Sequence, residues 1–377
     1  MNKDTNRTQN TTDLELTSSS ERTLYYIDLQ PTSSPLSTSP LPSHIPRVLI
    51  GMTYTITSSP GESSTSASAS DPTLDLLDSV LVKLSSESRS CLERLAAHRP
   101  APLPDFGLLK QAAVLVALFQ KEGDDKLHVL LTTRAKTLRR HPSQTALPGG
   151  KVDPEDLDVI HTARREAYEE VNLPMEHPAI HHIGIIDPVL TILPLNAHLK
   201  NHIAVIPVIC FISDPNTVLP LLAPNPDEVD AIFTHPLKGC WTGRVDGIDA
   251  EGLSEEGGEW WPHGGEFHSV EDRIGTTGGY RMHRFRTTRT PIKGLTSDVL
   301  IDTATIAYDS PPLFSRYAPT QPPFSAAIDE VILGLPDAMA RSTSSSAAGG
   351  NGERRVLEWG GTEIGKTVMS TEQYEVV

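Results

Sequence analysis

The sequence predicts an α+β protein in which a β-sheet packs against amphipathic helices. Two apolar runs of strand length, residues 112–119 and 127–132, flank a turn signal at residues 123–125. Apolar residues recur with helical spacing over 160–171 and again over 295–308. Strands and helices that follow one another along a single stretch of chain indicate one layered domain of mixed class.

The helix predicted over 160–171 has the clearest pattern. Its apolar stripe, at i, i+3, i+7 and i+11, consists of Ile160, Ala163, Ala167 and Val171. The two alanines allow this face to pack closely on a sheet. The helix over 295–308 repeats the helical spacing at Leu300, Ala304, Ala307 and Tyr308.

Further elements follow from the same two periods. A helix opens at Asp71-Pro72 and carries a stripe of leucines, namely Leu74, Leu77, Leu81 and Leu84. A second helical stretch surrounds residues 91–95 and ends before Arg99-Pro100. Three more strands are predicted at residues 183–186, 204–212 and 229–234.

Composition divides the chain into three parts. Residues 1–70 are rich in Ser, Thr and Pro, and this composition predicts disorder because it buries too little apolar surface. Residues 71–335 form the predicted folded domain, with a Gly/Glu-rich insertion loop at about 240–280. The Ser/Ala/Gly-rich tail, residues 336–377, is again predicted to be disordered.

Charge and cysteine content exclude several classes of protein. The net charge of -16 over 377 residues disfavours non-specific binding to nucleic acid or anionic membranes, but does not exclude an anionic substrate. Three isolated cysteines and no membrane-spanning run favour an intracellular protein. Mitochondrial, peroxisomal and cytoplasmic locations remain open. Early acidic residues disfavour a mitochondrial transit peptide, and the last three residues are not the peroxisomal SKL address.

Three glutamates share one face of the helix over 160–171, away from its apolar stripe. Glu166, Glu169 and Glu170 span an arc of about 100° at 3.6 residues per turn. Carboxylates this close repel one another, and the hard cations Mg²⁺ and Mn²⁺ are the obvious neutralising partners. The alternative interpretation is a solvated acidic helix face. A metal site predicts that Glu170 lies on an exposed face, off the apolar stripe.

A glycine-rich loop precedes this helix. Pro148-Gly149-Gly150 leaves the backbone bare, which lets the main chain approach a ligand or a metal. Asp153-Pro154 resembles a helix entry, although Asp156 or Asp158 serves equally well as the capping residue. A glycine-rich loop that leads into a helix N-terminus is a favourable place for a phosphate group.

Together the loop and helix resemble the Nudix box, whose pattern ends in R-E-apolar-x-E-E-x-G-apolar. The chain matches it at Arg165, Glu166, Glu169 and Glu170, whereas Asn172 replaces the glycine. Asp156 stands where the early glutamate is counted, and the interval from Gly150 to Arg165 is one residue longer than usual.

The resemblance implies a Nudix fold: an α/β/α sandwich with a mixed β-sheet and the Nudix loop-helix-loop. It also implies site roles. Glu166 and Glu170 are the main ligands of Mg²⁺ or Mn²⁺, Glu169 assists, and Arg165 braces the glutamates. These four residues form the expected catalytic set, and Glu228 is a candidate general base whose alternative is a strand-edge charge.

A second motif resembles the signature of the coenzyme A diphosphatase branch, of which peroxisomal enzymes are one type. The residues over 130–150 fit the pattern L-L-T-x-R-[SA] … R … P-G-G, except that Ser143 replaces a glycine and Leu147 a phenylalanine. The longer Gly150–Arg165 interval also occurs in this branch. Substrate-binding residues expected from this resemblance and from local basic charge are Arg134, Arg139, Gly149, Gly150 and Lys151.

The resemblance covers roughly residues 90–310 and implies a reaction. Water attacks the diphosphate of coenzyme A, or of its acyl or oxidised forms, and gives 3′,5′-adenosine bisphosphate and 4′-phosphopantetheine or its acyl form. Two alternatives stay open. One is a Nudix pyrophosphatase acting on oxidised nucleotides or capped RNA. The other is a non-catalytic Nudix-fold binding module, against which the three retained glutamates argue.

Overall fold

The computed structural model describes residues 81–346 and 360–361. Its helices are α1 (Ser86–Ala97), α2 (Val159–Val171), α3 (Pro215–Val218), α4 (Leu237–Thr242), α5 (Ile248–Glu251), α6 (Leu295–Tyr308) and α7 (Phe324–Ser346). Its strands are β1 (Lys110–Gln120), β2 (Leu127–Arg134), β3 (Thr145–Ala146), β4 (Gly149–Lys151), β5 (Ile180–Ile185), β6 (Val189–Leu190), β7 (Ile203–Ile212), β8 (Val229–Pro236), β9 (His268–Gly275), β10 (Gly278–Phe285), β11 (Ile292–Lys293) and β12 (Gly360–Gly361).

The central sheet is mixed, as the resemblance implies. Its strands run in the order β3-β2-β1-β7-β5, while β4 pairs with β1, β6 with β7 and β8 with β2. Strand β1 runs parallel to β7 and antiparallel to β2 and β4. The strands predicted near 112–119, 127–132, 183–186, 204–212 and 229–234 are confirmed as β1, β2, β5, β7 and β8.

Helices cover both faces of this sheet. Alternate residues of β1 face opposite sides because side chains alternate along a strand. Ala113, Leu115 and Ala117 pack against α2, whereas Val116 and Leu118 pack in the core that α1 and α6 share. A third cluster joins α7 to β6 and β7. The α/β/α sandwich is therefore confirmed.

The local signals of α2 explain its position. Asp158 caps the helix, since its side chain accepts a hydrogen bond of 2.7 Å from the His161 amide. On the predicted stripe, Ala163, Ala167 and Val171 are fully buried against the sheet, and Ile160 is half-buried. The helix ends at Asn172, which adopts the left-handed conformation expected where the family pattern has glycine.

Residues 240–280, predicted as an insertion loop, include helix and strand segments as well as loops. They contain α5, β9 and the start of β10, and β9 and β10 form an antiparallel hairpin in a second sheet with β11 and β12. The strands lack apolar alternation because charged pairs join them. Arg281 donates two hydrogen bonds of 2.7 Å to Asp272, its partner across the hairpin.

The domain boundaries predicted from composition need one correction. Helix α7 continues through Ser346, so the predicted tail boundary at 336 lies inside a helix whose Leu335 is buried. The predicted disordered segment 1–70 and the helix start at Asp71 lie outside the described residues. In the described part of the chain, no helix is both long and apolar enough to cross a membrane.

Candidate active site

The carboxyl group of Glu170 is buried at the base of the site. The residue is only 5% exposed, so the expectation of an exposed Glu170 is wrong. It sits in the last turn of α2, where β4 crosses the helix, and the Gly149 amide donates to its Oε2 at 3.3 Å. Burial raises the pKa of Glu170 to about 8, although the charge of Arg134 and the Gly149 amide oppose that rise.

Glu166 lies one turn earlier, directly over Gly150. A Cβ atom at position 150 would stand 2.2 Å from Glu166 Oε1, which is impossible without displacing the carboxylate. Any larger residue here would therefore move the Glu166 carboxylate from its position. Burial raises the pKa of Glu166 as well, while Arg165 lowers it.

Arg165 braces the acidic face, as the resemblance implies. One of its terminal nitrogens donates to both Glu166 and Glu169 at 3.2 Å, and the other donates to the Lys151 carbonyl at 3.3 Å. Arg165 also forms a bidentate pair with Asp156, with both bonds 2.9 Å long. The guanidinium thus ties α2 to the strand that carries Gly150.

Asp156 supports Arg165 from below. Its side chain is 1% exposed and also accepts hydrogen bonds from the Thr162 hydroxyl and the Asp153 amide. The bonds from Arg165 hold the pKa of Asp156 far below its usual range, so it is ionised at neutral pH. This role explains why an aspartate near the early-acid position of the family pattern is compatible with an intact site.

Two residues distant in the sequence also shift the pKa values of the buried glutamates. The positive charge of Arg134, at the end of β2, lowers the pKa of Glu170. The negative charge of Glu228 raises the pKa of both Glu166 and Glu170. The backbone links the two residues, since the Ala135 amide donates to the Glu228 carbonyl at 2.9 Å.

The remaining predicted substrate residues are arranged differently. The side chains of Arg139 and Lys151 are exposed, Arg139 on the loop between β2 and β3 and Lys151 at the end of β4. Gly149 contributes its amide to Glu170 and Gly150 accommodates Glu166, as described above. The glycine loop thus meets the carboxylates, while Arg139 and Lys151 project towards solvent.

Two contacts of the site were not predicted from the sequence. The pairing of Asp156 with Arg165 spans nine positions and crosses the helix entry, so helical spacing does not reveal it. The Gly149 amide could have been anticipated, because bare glycine backbone beside an acidic helix is a natural donor.

The donor set fits a hard divalent cation. Glu166, Glu169, Glu170 and Glu228 offer carboxylate oxygens only, and Glu170 is held where ionisation is unfavourable without a positive partner. Among the described residues, the possible ligand atoms of Asp124, His128 and Asp249 all lie within 4.8 Å of one another. Both carboxylates of this group already have cationic or donor partners, since His128 Nε2 bonds Asp124 and Lys126 bonds Asp249, both at 2.7 Å. The glutamates are the better metal candidates.

Comparison with known proteins agrees with this geometry. The model of the NUDIX domain matches residues 109–243. The mitochondrial Nudix hydrolase 15 of Arabidopsis thaliana is 36% identical, over 58% of this chain and 67% of that protein. An uncharacterized Nudix hydrolase NudL of Salmonella newport (strain SL254) is 38% identical, over 42% of this chain and 74% of that protein.

Other similar proteins match a smaller share of this chain. For one NudL relative, from an Enterobacter species, the chain spans only 48% of the protein's length. A crystal structure of a C. elegans Ap4A hydrolase binary complex shares 19% identity over 34% of this chain and 82% of that chain, with a TM-score of 0.27. At that score the overlap says nothing about substrate. The NUDIX match and the level of identity to relatives covered over two thirds or more of their length show that this chain belongs to the Nudix hydrolase family.

Proposed function

We propose that this protein hydrolyses the diphosphate bond of coenzyme A and its derivatives with the help of Mg²⁺ or Mn²⁺. The observation that carries the proposal is the buried Glu170 carboxyl group beneath the Gly149 amide, with Glu166 one turn away over Gly150. An unpaired buried carboxylate is costly, and a divalent cation offsets that cost. Such a site suits chemistry in which negative charge develops on phosphate oxygens.

Each residue of the acidic face has a proposed role. Glu166 and Glu170 would hold the cation and Glu169 would assist from the exposed edge. A bound divalent cation would neutralise charge on the diphosphate during attack by water. Arg165 keeps Glu166 and Glu169 in one orientation through its bonds to both.

Glu228 is the proposed general base. Its carboxylate is exposed, near Glu166 and Glu170, and is therefore able to take a proton from the attacking water. A Glu228→Gln change should lower kcat by about a hundredfold or more, within the range typical of general acid–base catalysis. A matched Glu176→Gln change on the exposed loop after α2 should leave kcat unchanged. If both variants retain full kcat, Glu228 is a strand-edge charge and not the base.

Coenzyme A is proposed from the basic residues around the glycine loop. Arg134 is half-buried and its charge lowers the pKa of Glu170, while Arg139 and Lys151 are exposed cations on the segments that flank the glycine loop. Guanidinium groups suit the diphosphate and the 3′-phosphate of coenzyme A. The match of residues 130–150 to the coenzyme A signature supports the same choice.

Other substrates are the main alternative, and a substrate panel separates them. Coenzyme A, acetyl-coenzyme A, coenzyme A disulfide, an oxidised nucleoside triphosphate and a capped RNA would be compared by kcat/KM at saturating Mg²⁺. We expect one of the coenzyme A compounds to have the highest value. A higher kcat/KM for the nucleotide or the RNA would contradict coenzyme A as the substrate but would still support a diphosphate hydrolase. No turnover of any compound would favour the binding-module alternative.

The compartment is a separate proposal. We propose an intracellular location, in peroxisomes, mitochondria or the cytoplasm. Fluorescence microscopy of the tagged chain beside organelle markers would distinguish the three. Signal outside the cell would contradict the proposal.

A further inference from the structure

A basic cavity lies beside the candidate active site. It has a volume of about 440 Å³ and lies between the loop that follows β2 and the β9–β10 hairpin with the segment after it. Five cations line it, namely Lys136, Arg273, Arg284, Arg289 and Lys293. None of the proposed catalytic residues is among its lining residues, so it is distinct from the acidic face.

The cavity carries a net positive charge in an acidic protein. Its lining includes two carboxylates, Asp230 and Glu259. Glu271, which is not a lining residue, accepts hydrogen bonds from Arg273 at 2.8 Å and from Arg284. Five cations thus face three carboxylates, whereas the whole chain has a net charge of -16. A local reversal of charge of this kind concentrates anions.

The cavity wall is held in place by specific contacts. The Thr145 hydroxyl donates to the Thr290 carbonyl at 2.5 Å, which fixes the segment carrying Arg289 to β3. Trp261 is fully buried and donates to the Gly265 carbonyl at 2.8 Å, so its neighbour Trp260 is anchored at the cavity. Trp260 is 41% exposed and offers an aromatic face on which a nucleobase can stack.

The cavity and the acidic face meet along the same two strands. Thr133 lines the cavity, while the next residue, Arg134, influences Glu170. Asp230 lines the cavity and lies two residues after Glu228 on the neighbouring strand β8. A molecule that places its diphosphate at Glu170 therefore has an anion-binding cavity close by, at the ends of these two strands.

We infer that this cavity binds the 3′-phosphate of the coenzyme A nucleotide, with Lys136 and Arg289 donating to it and Trp260 facing the adenine. The inference rests on the proposed function and deepens it. A phosphomonoester carries close to two negative charges near neutral pH, which matches a cluster of five cations. The cavity would thus explain how one enzyme distinguishes coenzyme A from diphosphates that lack this group.

The test compares coenzyme A with 3′-dephospho-coenzyme A on the full chain. The Lys136→Gln/Arg289→Gln double variant should lower kcat/KM for coenzyme A by about tenfold or more, the loss expected for charge-assisted hydrogen bonds. Dephospho-coenzyme A lacks the phosphate that these two cations would contact. Its kcat/KM should therefore change by less than about threefold. The matched control is Lys110→Gln/Arg99→Gln, two exposed cations outside the cavity. It should leave both values unchanged.

Each outcome decides the question. Equal losses of kcat/KM on both substrates, or no loss on either, would overturn the inference. The proposed function would still stand if the unmodified chain hydrolysed coenzyme A. If the unmodified chain hydrolyses neither compound, calorimetry with 3′,5′-adenosine bisphosphate and 5′-AMP decides. Tighter binding of the bisphosphate that the double variant loses keeps the cavity as a phosphate site. Equal binding of the two nucleotides removes it.

Discussion

Glu170 has the most unusual surroundings of the acidic residues in the site. Its carboxyl group is buried, lies near Glu166 and Glu228, and has the Arg134 charge as its main opposing influence. Its pKa of about 8 lies above the ordinary value of 4.5. The native state therefore holds a proton that the unfolded chain releases between these two values. Without metal, the protein should lose stability as the pH rises from about 4.5 through about 8.

A Glu170→Gln change tests this residue directly, because glutamine keeps the shape and cannot ionise. In the presence of chelator, the variant should melt at a higher temperature than the unmodified protein at pH 9 and at nearly the same temperature at pH 4. With Mg²⁺ at neutral pH, kcat should fall by about a hundredfold or more, as for loss of one electrostatic contact to a transition state. Melting curves and turnover would be measured on the same preparations.

The control for this experiment is Glu176→Gln, an exposed carboxylate on the loop after α2. It should change neither the melting temperature nor kcat. Full activity of the Glu170 variant would mean that α2 carries an ordinary acidic surface, and the metal site would then be wrong.

Residue-scale prediction from the sequence succeeded where spacing carries the information. The positions of Glu166, Glu169 and Glu170 on one helix follow from 3.6 residues per turn. The burial of Glu170 does not follow, because it depends on β4 crossing the helix and bringing Gly149 within 3.3 Å. Glu228 was named by resemblance alone, and only the fold brings it near Glu166.

At the scale of elements, the contact between β4 and α2 shapes the site. Gly150→Ala should disrupt it, because the added Cβ would meet the Glu166 carboxylate at 2.2 Å. We expect a large loss of kcat, of the order of a hundredfold, since one ligand of the cation moves. Gly184→Ala is the matched control, since a Cβ there meets nothing within 4 Å. Equal activities of the two variants would contradict the geometry of the glycine loop.

The packing of α2 on the sheet supports the site from the opposite face. Ala167 is fully buried on the predicted stripe, so Ala167→Leu should overpack it and destabilise the protein by about 1–3 kcal/mol. Tyr168→Leu, next along the helix and 51% exposed, is the control and should cost much less. Denaturant unfolding of both variants gives the comparison. A stable Ala167 variant would contradict the assigned face.

Elements with a clear apolar period were predictable, and those without one were not. Helix α6 matches the predicted range of 295–308, and β1 and β7 match within a few residues. The β9–β10 hairpin was missed because cross-strand charge pairs such as Arg281–Asp272 replace apolar alternation. Periodicity detects burial on one face, so a strand pair held by charges escapes it.

At the scale of the whole molecule, composition predicts that the folded domain functions without its ends. Deleting residues 1–70 and 362–377 should leave a cooperative melt and full kcat. The cut follows Gly361 because β12 pairs with β9. A deeper cut before Ala327 is the control, since it removes Ala327, Ile328, Val331 and Leu335 from the core. The deeper cut should lower the melting temperature sharply, whereas a similar loss in the first deletion would contradict the predicted domain.

The charge of the whole molecule bears on how an anionic substrate is bound. A chain with a net charge of -16 repels polyanions at long range, so binding of coenzyme A must depend on local cations and on a bound metal. The cavity around Lys136 and Arg289 and the acidic face around Glu170 divide that task between two neighbouring regions. We expect the two regions together to support cleavage of one diphosphate bond.

Mass spectrometry of the products from coenzyme A tests that claim most directly. The full chain would be incubated with coenzyme A and Mg²⁺, with chelator in a parallel reaction. We predict 3′,5′-adenosine bisphosphate and 4′-phosphopantetheine in equal amounts with Mg²⁺ and neither product with chelator. Intact coenzyme A in the Mg²⁺ reaction, or the same products in excess chelator, would contradict a metal-dependent coenzyme A diphosphatase.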